Sequence, residues 1–327
     1  MELGDLPLFA DVSSAELDAI EHALTPTVVH AGDFLMRQDE ESTFFALVTG
    51  GTAEVVRNTA HGERQLAIVG RGDIVGELGL LLRRERVGSV RALTDLSALV
   101  GDLVSFDRML SAPGVHDHVE AIVSARLAER VTPVPIHVRD GRRVFLRPIL
   151  PTDRDALYAA MRDASAETLR LRFFQAFKPN SRIISYLVDI DYIHHFAWVA
   201  VTEAGDGVGI GRYIRHAARP NAAEFAFSVH DSWHGLGLGT TLLGGCGVAA
   251  VAAGVTTMTA SFLSENHPVR AVLSKVRATI SRGEPGVLEA VFDASIAADL
   301  LPEADADALR AAVVNVVLAA GLVLADS

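Results

Sequence analysis

Two short stretches bring together residue types that can hold a phosphate. The first is Gly76-Glu77-Leu78-Gly79-Leu80-Leu81, followed by Arg86-Val87-Gly88-Ser89-Val90. Glycine lets the backbone come close to a ligand and bare its amides to an anion. Arginine adds a charged, two-pronged phosphate contact, and a carboxylate such as Glu77 can accept hydrogen bonds from a ribose hydroxyl. The second stretch is Ser232-Trp233-His234-Gly235-Leu236-Gly237-Leu238-Gly239-Thr240-Thr241. A glycine-rich turn that opens a helix aims free N–H groups at an anion, and the helix dipole favours the negative charge. A pyrophosphate suits such a turn. The Gly-x-Gly-x-Gly spacing lacks the two-residue gap of a dinucleotide fingerprint, and no acidic residue follows at the expected distance in a βαβ unit. A P-loop is excluded because no Gly-Lys-Ser/Thr follows.

Different kinds of chain must carry these stretches. Ser13-Ser14-Ala15-Glu16 reads as a capping box opening a helix to about Leu24. From Thr27 to Ser105, short β-rich runs alternate with glycine turns, Gly50-Gly51 among them, which predicts a small barrel or sandwich. Val119, Ile122, Val123 and Leu127 recur at helical spacing, and Thr132-Pro133-Val134-Pro135 cannot continue that helix. Strands are then expected at Val144–Arg147, Phe196–Thr202, Val208–Arg215, Ala223–Val229 and Thr256–Phe262. Helices are expected at Thr152–Met161 and Leu238–Ala253. That alternation implies an α/β domain.

Composition narrows the function classes. The chain has 327 residues, enough for two domains, and a formal net charge of −12. An acidic chain repels phosphate backbones, so no nucleic-acid partner is expected. One cysteine, Cys246, excludes an intrachain disulfide and fits a reducing cytoplasm. The N-terminus carries no signal-peptide pattern. The apolar stretches Leu242–Val255 and Ala311–Leu324 are shorter than the ~20 residues a bilayer needs, so buried helices and no membrane partner are expected. Adjacent residues on a strand face opposite ways, so His194 and His195 are not expected to share a metal, and Cys246 in a Gly/Ala helix reads as packing.

The first stretch, with the Ala31-to-Leu35 turn and the Gly-Gly turn, resembles the cyclic-nucleotide-binding domain of the catabolite activator protein and kinase regulatory subunits. The resemblance implies that Glu77 binds the ribose 2′-hydroxyl and Arg86 the cyclic phosphate. It implies that the amides of Gly76, Glu77 and Leu78, with Gly79, line the pocket, and it brings Ser89 to the base or phosphate. Members that select cGMP tend to carry a hydroxyl directly after the arginine; Val87 stands here, which points to cAMP. The second stretch resembles the acetyl-CoA loop of the GNAT acyltransferases. His234 stands where Gln or Arg is usual, and Leu236 where a basic residue is common. The resemblance implies that acetyl-CoA lies along His234, Gly235, Leu236, Gly237, Leu238, Gly239 and Thr240, along Phe227 and Val229 of the preceding strand, and near Asn266. Ser274 occupies the position of the family's leaving-group tyrosine.

Phe145-Leu146-Arg147-Pro148 with Asp153 resembles the opening strand and helix of the GNAT family, and the order of the two motifs, with the segment Ser165–Arg172 and Phe173-Phe174, is similar to the cyclic-AMP-regulated protein lysine acetyltransferases of mycobacteria. The expected fold is therefore α+β in two domains. A jelly-roll-like β-barrel with flanking helices covers residues 1–112, and a linker helix and Pro-rich connection covers 113–140. A GNAT α/β domain covers 141–292, and a lid-like tail covers 293–327. A lysine ammonium has a reference pKa near ~10.4, so its acetylation needs a base; the resemblance puts Glu224 in that role. It implies acetyl transfer to lysines of metabolic enzymes such as acyl-CoA synthetases; the fusion of the two domains itself suggests that cAMP acts by moving the linker helix at 115–130. Two alternatives remain open on the sequence: a cyclic-nucleotide sensor whose second domain holds CoA without catalysis, and an acetyltransferase acting on a small amine.

Overall fold

The computed structural model describes residues 3–59, 62–81, 85–175, 178–192 and 194–322. The described chain divides into two compact units, one ending at Val123 and the other running from Ser124 to Gly321.

The first unit opens on α1 (Ser14–Glu21), whose capping box is present as the sequence predicts: the Glu16 N–H donates to Ser13 Oγ and the Ser13 N–H donates back to Glu16. The strands β1 (Thr25–Val29), β2 (Phe34–Met36), β3 (Phe44–Gly50), β4 (Thr52–Thr59), β5 (Gly62–Gly70) and β6 (Ile74–Val75) follow. Next come α2 (Glu77–Leu81), β7 (Ser89–Ala92), β8 (Leu96–Asp102) and α3 (Leu103–Leu110). Two four-stranded sheets result, ordered β1-β8-β3-β6 and β2-β7-β4-β5. Their inner faces meet in a core of Val29, Met36, Ala46, Val48, Val69, Val90 and Leu96. This is the jelly-roll-like layout expected from short strands between glycine turns. Gly51 shows why such a turn needs glycine: its φ is +79°, and a Cβ there would lie 2.2 Å from the Asp95 carbonyl oxygen. The helix predicted after Pro113-Gly114 is α4 (Val115–Ala128).

The second unit is built on an eight-stranded sheet. In chain order its elements are β9 (Val134–His137), β10 (Arg143–Pro148), α5 (Arg154–Asp163), α6 (Ala166–Phe173), α7 (Ser181–Val188), β11 (His195–Val201), β12 (Gly207–His216) and β13 (Arg219–Val229). The chain continues through α8 (Leu238–Ala252), β14 (Thr257–Leu263), α9 (His267–Ser274), β15 (Thr279–Arg282), β16 (Val287–Asp293), α10 (Ala294–Ala298) and α11 (Glu303–Leu322). The strand order is β15-β16-β14-β13-β12-β11-β10-β9. The sheet begins earlier than the sequence suggested, because the Pro-rich connection forms β9. Pro135 is tolerated there because β9 is an edge strand and its missing N–H breaks no central ladder.

The glycines and alanines of α8 let it pack closely on both sides. Towards the sheet, Leu242 and Cys246 sit over Gly209 and Gly211 of β12. Away from it, a Cβ on Gly247 would lie 2.5 Å from the Ala298 backbone nitrogen, and one on Gly244 would lie 2.6 Å from Leu301. Residues 294–301, expected in a lid, thus pack on α8 and belong to the core of this unit; residues 323–327 lie outside the described residues. Burial raises the Cys246 thiol pKa, which holds it as an inert thiol. Among the described residues no helix is long and apolar enough to cross a membrane.

Candidate functional site

Strand pairing opens the site of the second unit. β13 and β14 run parallel through only Ala222↔Thr257, Ala223↔Met258 and Glu224↔Thr259. β13 continues to Val229 and β14 to Leu263, so the two strands part beyond Glu224. A cavity of about 440 Å³ fills the gap. Phe225 to Val229 line one wall, Ala260 to Phe262 the opposite wall, and α9 closes a side through Pro268, Val269 and Val272. Backbone amides left without a neighbouring strand can pair with an extended ligand that carries amides of its own.

The glycine turn forms the end of this cavity. Gly235 and Gly237 have φ of +77° and +90°, and Gly237 leads directly into α8. The N–H groups of Leu238 and Gly239, which open the helix, have no earlier carbonyl to accept them, whereas the Thr240 N–H already donates to Gly237 O at 2.9 Å. Gly239 packs closely against Phe227: a Cβ there would lie 2.8 Å from its ring. Of the predicted CoA residues, Phe227, Val229, His234, Gly235, Gly237, Leu238, Gly239, Thr240 and Asn266 line the cavity. Leu236 does not line it and instead accepts the Arg139 N–H at its carbonyl, 3.1 Å away. His234 is engaged locally, its Nε2 lying 2.9 Å from the Val229 carbonyl oxygen. Asn266 is buried, and its side-chain oxygen caps α9 by accepting the Val269 N–H at 3.2 Å.

Two cations that sequence reading missed stand at the same turn. The Arg139 side chain, from the β9–β10 connection, lies along Gly237; the Lys275 ammonium, just past α9, donates to Thr240 Oγ1 at 2.7 Å. Burial, and then the charge of Arg139, push the Lys275 pKa down. Neither residue makes an ion pair among the described residues. They bring positive charge to the turn. Only chain folding brings them there, so no local motif could have flagged them. Ser274, at the tyrosine's place, turns away and donates to its own helix at Ala271 O. Among the described residues no tyrosine lines the cavity.

Glu224 is exposed and lies next to the cavity wall, in the last paired position before the strands part. Arg172, on the final turn of α6, lines the cavity and feels its charge. Of the two adjacent histidines, His195 is buried at the start of β11, and His194, just before the strand, is exposed and paired with Asp191 at 3.2 Å. Among the described residues no cluster of ligand types could hold a metal.

In the first unit the other motif closes around one side chain. Arg86 is 3% exposed and Glu77, at the start of α2, is 1% exposed. The Arg86 guanidinium donates to Gly76 O at 2.9 Å and to Phe44 O at 2.6 Å, and lies over the Phe44 ring. Burial lowers its pKa, against the opposing pull of Glu77 and Glu40. Gly76 has φ +85°, and a Cβ there would meet the guanidinium at 2.6 Å. Leu78 and Gly79 are buried in α2, and Val87 is half-buried. Ser89 is buried and accepts the Gln38 N–H at 2.9 Å.

Comparison with known proteins agrees with both halves. Residues 26–112 match the cyclic nucleotide-binding domain, and residues 143–279 match the acetyltransferase (GNAT) domain. A cAMP-dependent protein kinase regulatory subunit of Schizosaccharomyces pombe is 32% identical over 108 residues, 33% of this chain and 26% of that one. The solved structure of a cAMP-binding acyltransferase from Mycobacterium smegmatis covers 97% of this chain and 96% of its own, at 28% identity and a TM-score of 0.50. The acetyltransferase Pat of Mycolicibacterium smegmatis is 32% identical over 293 residues, 89% of this chain and 88% of Pat. With likeness of that extent running through both domains in the same order, the chain belongs to the family of the acetyltransferase Pat, and the half that carries Glu224 is its GNAT domain.

Proposed function

We propose that the chain is a cAMP-regulated acetyltransferase that moves acetyl from acetyl-CoA to lysine side chains of proteins, acyl-CoA synthetases being the candidate class. The observation that carries this reading is the opening between β13 and β14, with a carboxylate at its root and an amide-lined turn at its far end. The pantetheine arm lies in the gap and pairs with the free edge of β13. The diphosphate rests on the amides of Gly235 to Gly239, with Arg139 and Lys275 supplying the charge. This puts the thioester beside Ala226 and Glu224.

Glu224 accepts a proton from the incoming ammonium, directly or through water, and the freed amine nitrogen attacks the thioester carbonyl carbon. The carbon–sulfur bond breaks as the new amide bond forms, and the nitrogen gives up its second proton to solvent. With Ser274 turned onto its own helix, the thiolate takes its proton from solvent. In the N-terminal domain the cyclic phosphate displaces the carbonyls of Gly76 and Phe44 from Arg86, and Glu77 takes the ribose hydroxyl. The bound nucleotide shifts the acetyltransferase only as far as its affinities for the resting and active forms differ.

The test is acetylation of a lysine-bearing acyl-CoA synthetase by the full chain. Glu224→Gln should lower kcat by roughly a hundred- to ten-thousandfold, the range of general-base contributions, with acetyl-CoA binding retained. Wild-type kcat in that variant would remove Glu224 from the chemistry. Transfer to small amines with none to proteins would favour the small-amine reading.

A further inference from the structure

The α6–α7 side of the sheet carries a group of side chains that acetyl transfer leaves unused. Arg212 lies in the middle of β12, opposite Ala226, and is 3% exposed. One guanidinium nitrogen donates to Leu187 O at 3.1 Å and to His195 Nε2 at 2.7 Å. His195 accepts there because burial, reinforced by the charge of Arg212, pushes its pKa down to about 3 and keeps the ring neutral. Tyr186 packs on that ring, with centroids 5.6 Å apart. Arg172 comes down from α6 and lines both the large cavity and a neighbouring one of about 100 Å³, which Arg212 also lines. Thr168, Ser228 and Val229 border both cavities too, so the two adjoin at Arg172.

The charges here do not balance. Burial lowers the pKa of both guanidiniums, that of Arg212 to about 9, and the Arg172 charge adds to the effect on Arg212. Among the described residues neither arginine makes an ion pair, and Arg172 makes no hydrogen bond. The one carboxylate acting on Arg172 is the exposed Glu224. Arg212 is out of water and Arg172 is half-buried beside it; holding two such cations together without a counter-ion is costly, and a guanidinium fork matches a carboxylate in shape as well as charge.

We propose that Arg172 and Arg212 hold a ligand carboxylate next to the reacting centre, carried either by a short dicarboxylic acyl group on the donor or by the acceptor beside its amine. The inference rests on the reading that places the thioester beside Glu224. A terminal carboxylate on the acyl chain reaches Arg172 through the border shared by the two cavities. A carboxylate beside the amine reaches it from the Glu224 side. Both leave the glycine turn and its cations unchanged.

Two matched pairs of ligands test this on the full-length protein. The first pair is succinyl-CoA against butyryl-CoA, a neutral thioester of the same chain length, compared by equilibrium titration. The second is a pair of lysine peptides that differ only in Glu or Gln beside the lysine, compared by acetyl-CoA turnover. The wild type should prefer the carboxylate member of at least one pair by roughly ten- to hundredfold, the scale of charged hydrogen bonds. Arg172→Met should bring that ratio close to one, and Arg172→Lys should restore part of it. A preference in the thioesters assigns the carboxylate to the donor, and one in the peptides assigns it to the acceptor. Each result is a ratio within one protein, so poor folding of a variant lowers both members alike. No preference in either pair, or a preference that Arg172→Met leaves intact, overturns the proposal. A thioester preference that Arg172→Met removes, with no peptide acetylated, supports the subsite and counts against the acetyl-transfer reading alone.

Discussion

The two phosphate-binding candidates are built in opposite ways. In the N-terminal unit the glycine and the cation lie ten residues apart, and the cation is buried and already bound to two backbone carbonyls. A phosphate there must compete with Gly76 O and Phe44 O for the Arg86 guanidinium. In the C-terminal unit the glycine turn supplies amides alone, and its cations, Arg139 and Lys275, come from distant parts of the chain and have no carboxylate partner among the described residues. The first arrangement couples binding to a local rearrangement, which suits a sensor. The second is an anion site set in advance, which suits a substrate that must be held in one pose.

Three changes break or sharpen this contrast. Arg86→Lys keeps the charge but loses the two-pronged fork, so it should weaken cAMP binding by about a hundredfold, the scale for a buried charged contact. Acetyl-CoA affinity should stay unchanged; a matching loss of both affinities would contradict the division of labour. Arg139→Ala combined with Lys275→Ala should raise KM for acetyl-CoA by about tenfold with kcat nearly unchanged, because the amide cradle remains, and should flatten the salt dependence of KM. An unaltered KM would leave the diphosphate to the amides alone.

The third and smallest effect concerns pH. His195 is held neutral with its pKa pushed down to about 3, well below its ordinary value of about 6.5. The unfolded chain therefore binds this proton more readily than the folded one. The stabilisation is complete above about pH 6.5 and is lost as pH falls towards 3, by at most about 1.4 kcal/mol per pH unit. Both tryptophans, Trp198 and Trp233, lie in the C-terminal unit, so their fluorescence follows this unit during denaturation. Between pH 7 and 5, His195→Gln should lose less stability than the wild type; parallel curves would contradict the buried neutral histidine.

What could be read from the sequence follows the same division. The capping box at Ser13, the strands around Glu224 and the helix after Gly237 each depend on neighbours a few residues away, and all were legible; the turn at Gly51 was legible too, though the Asp95 carbonyl that crowds it was not. The edge strand at Val134–His137 was not, because Pro135 argues against a strand until the sheet shows it has no outer neighbour. The packing of residues 294–301 on α8 was hidden in the small size of Gly244 and Gly247, whose purpose appears only when Leu301 and Ala298 arrive. Arg139, Lys275, Arg172 and Arg212 carry no local signature at all. Their roles follow from which strands part and which helices cover the opening.

One measurement reaches the central claim most directly: the initial rate of acetyl transfer from acetyl-CoA to a lysine-bearing protein acceptor, by the full chain, with and without cAMP. The account predicts transfer that rises when cAMP is added and that disappears in Glu224→Gln. Acetylation at one rate regardless of cAMP, or acetyl-CoA binding with no transfer in either condition, would contradict it.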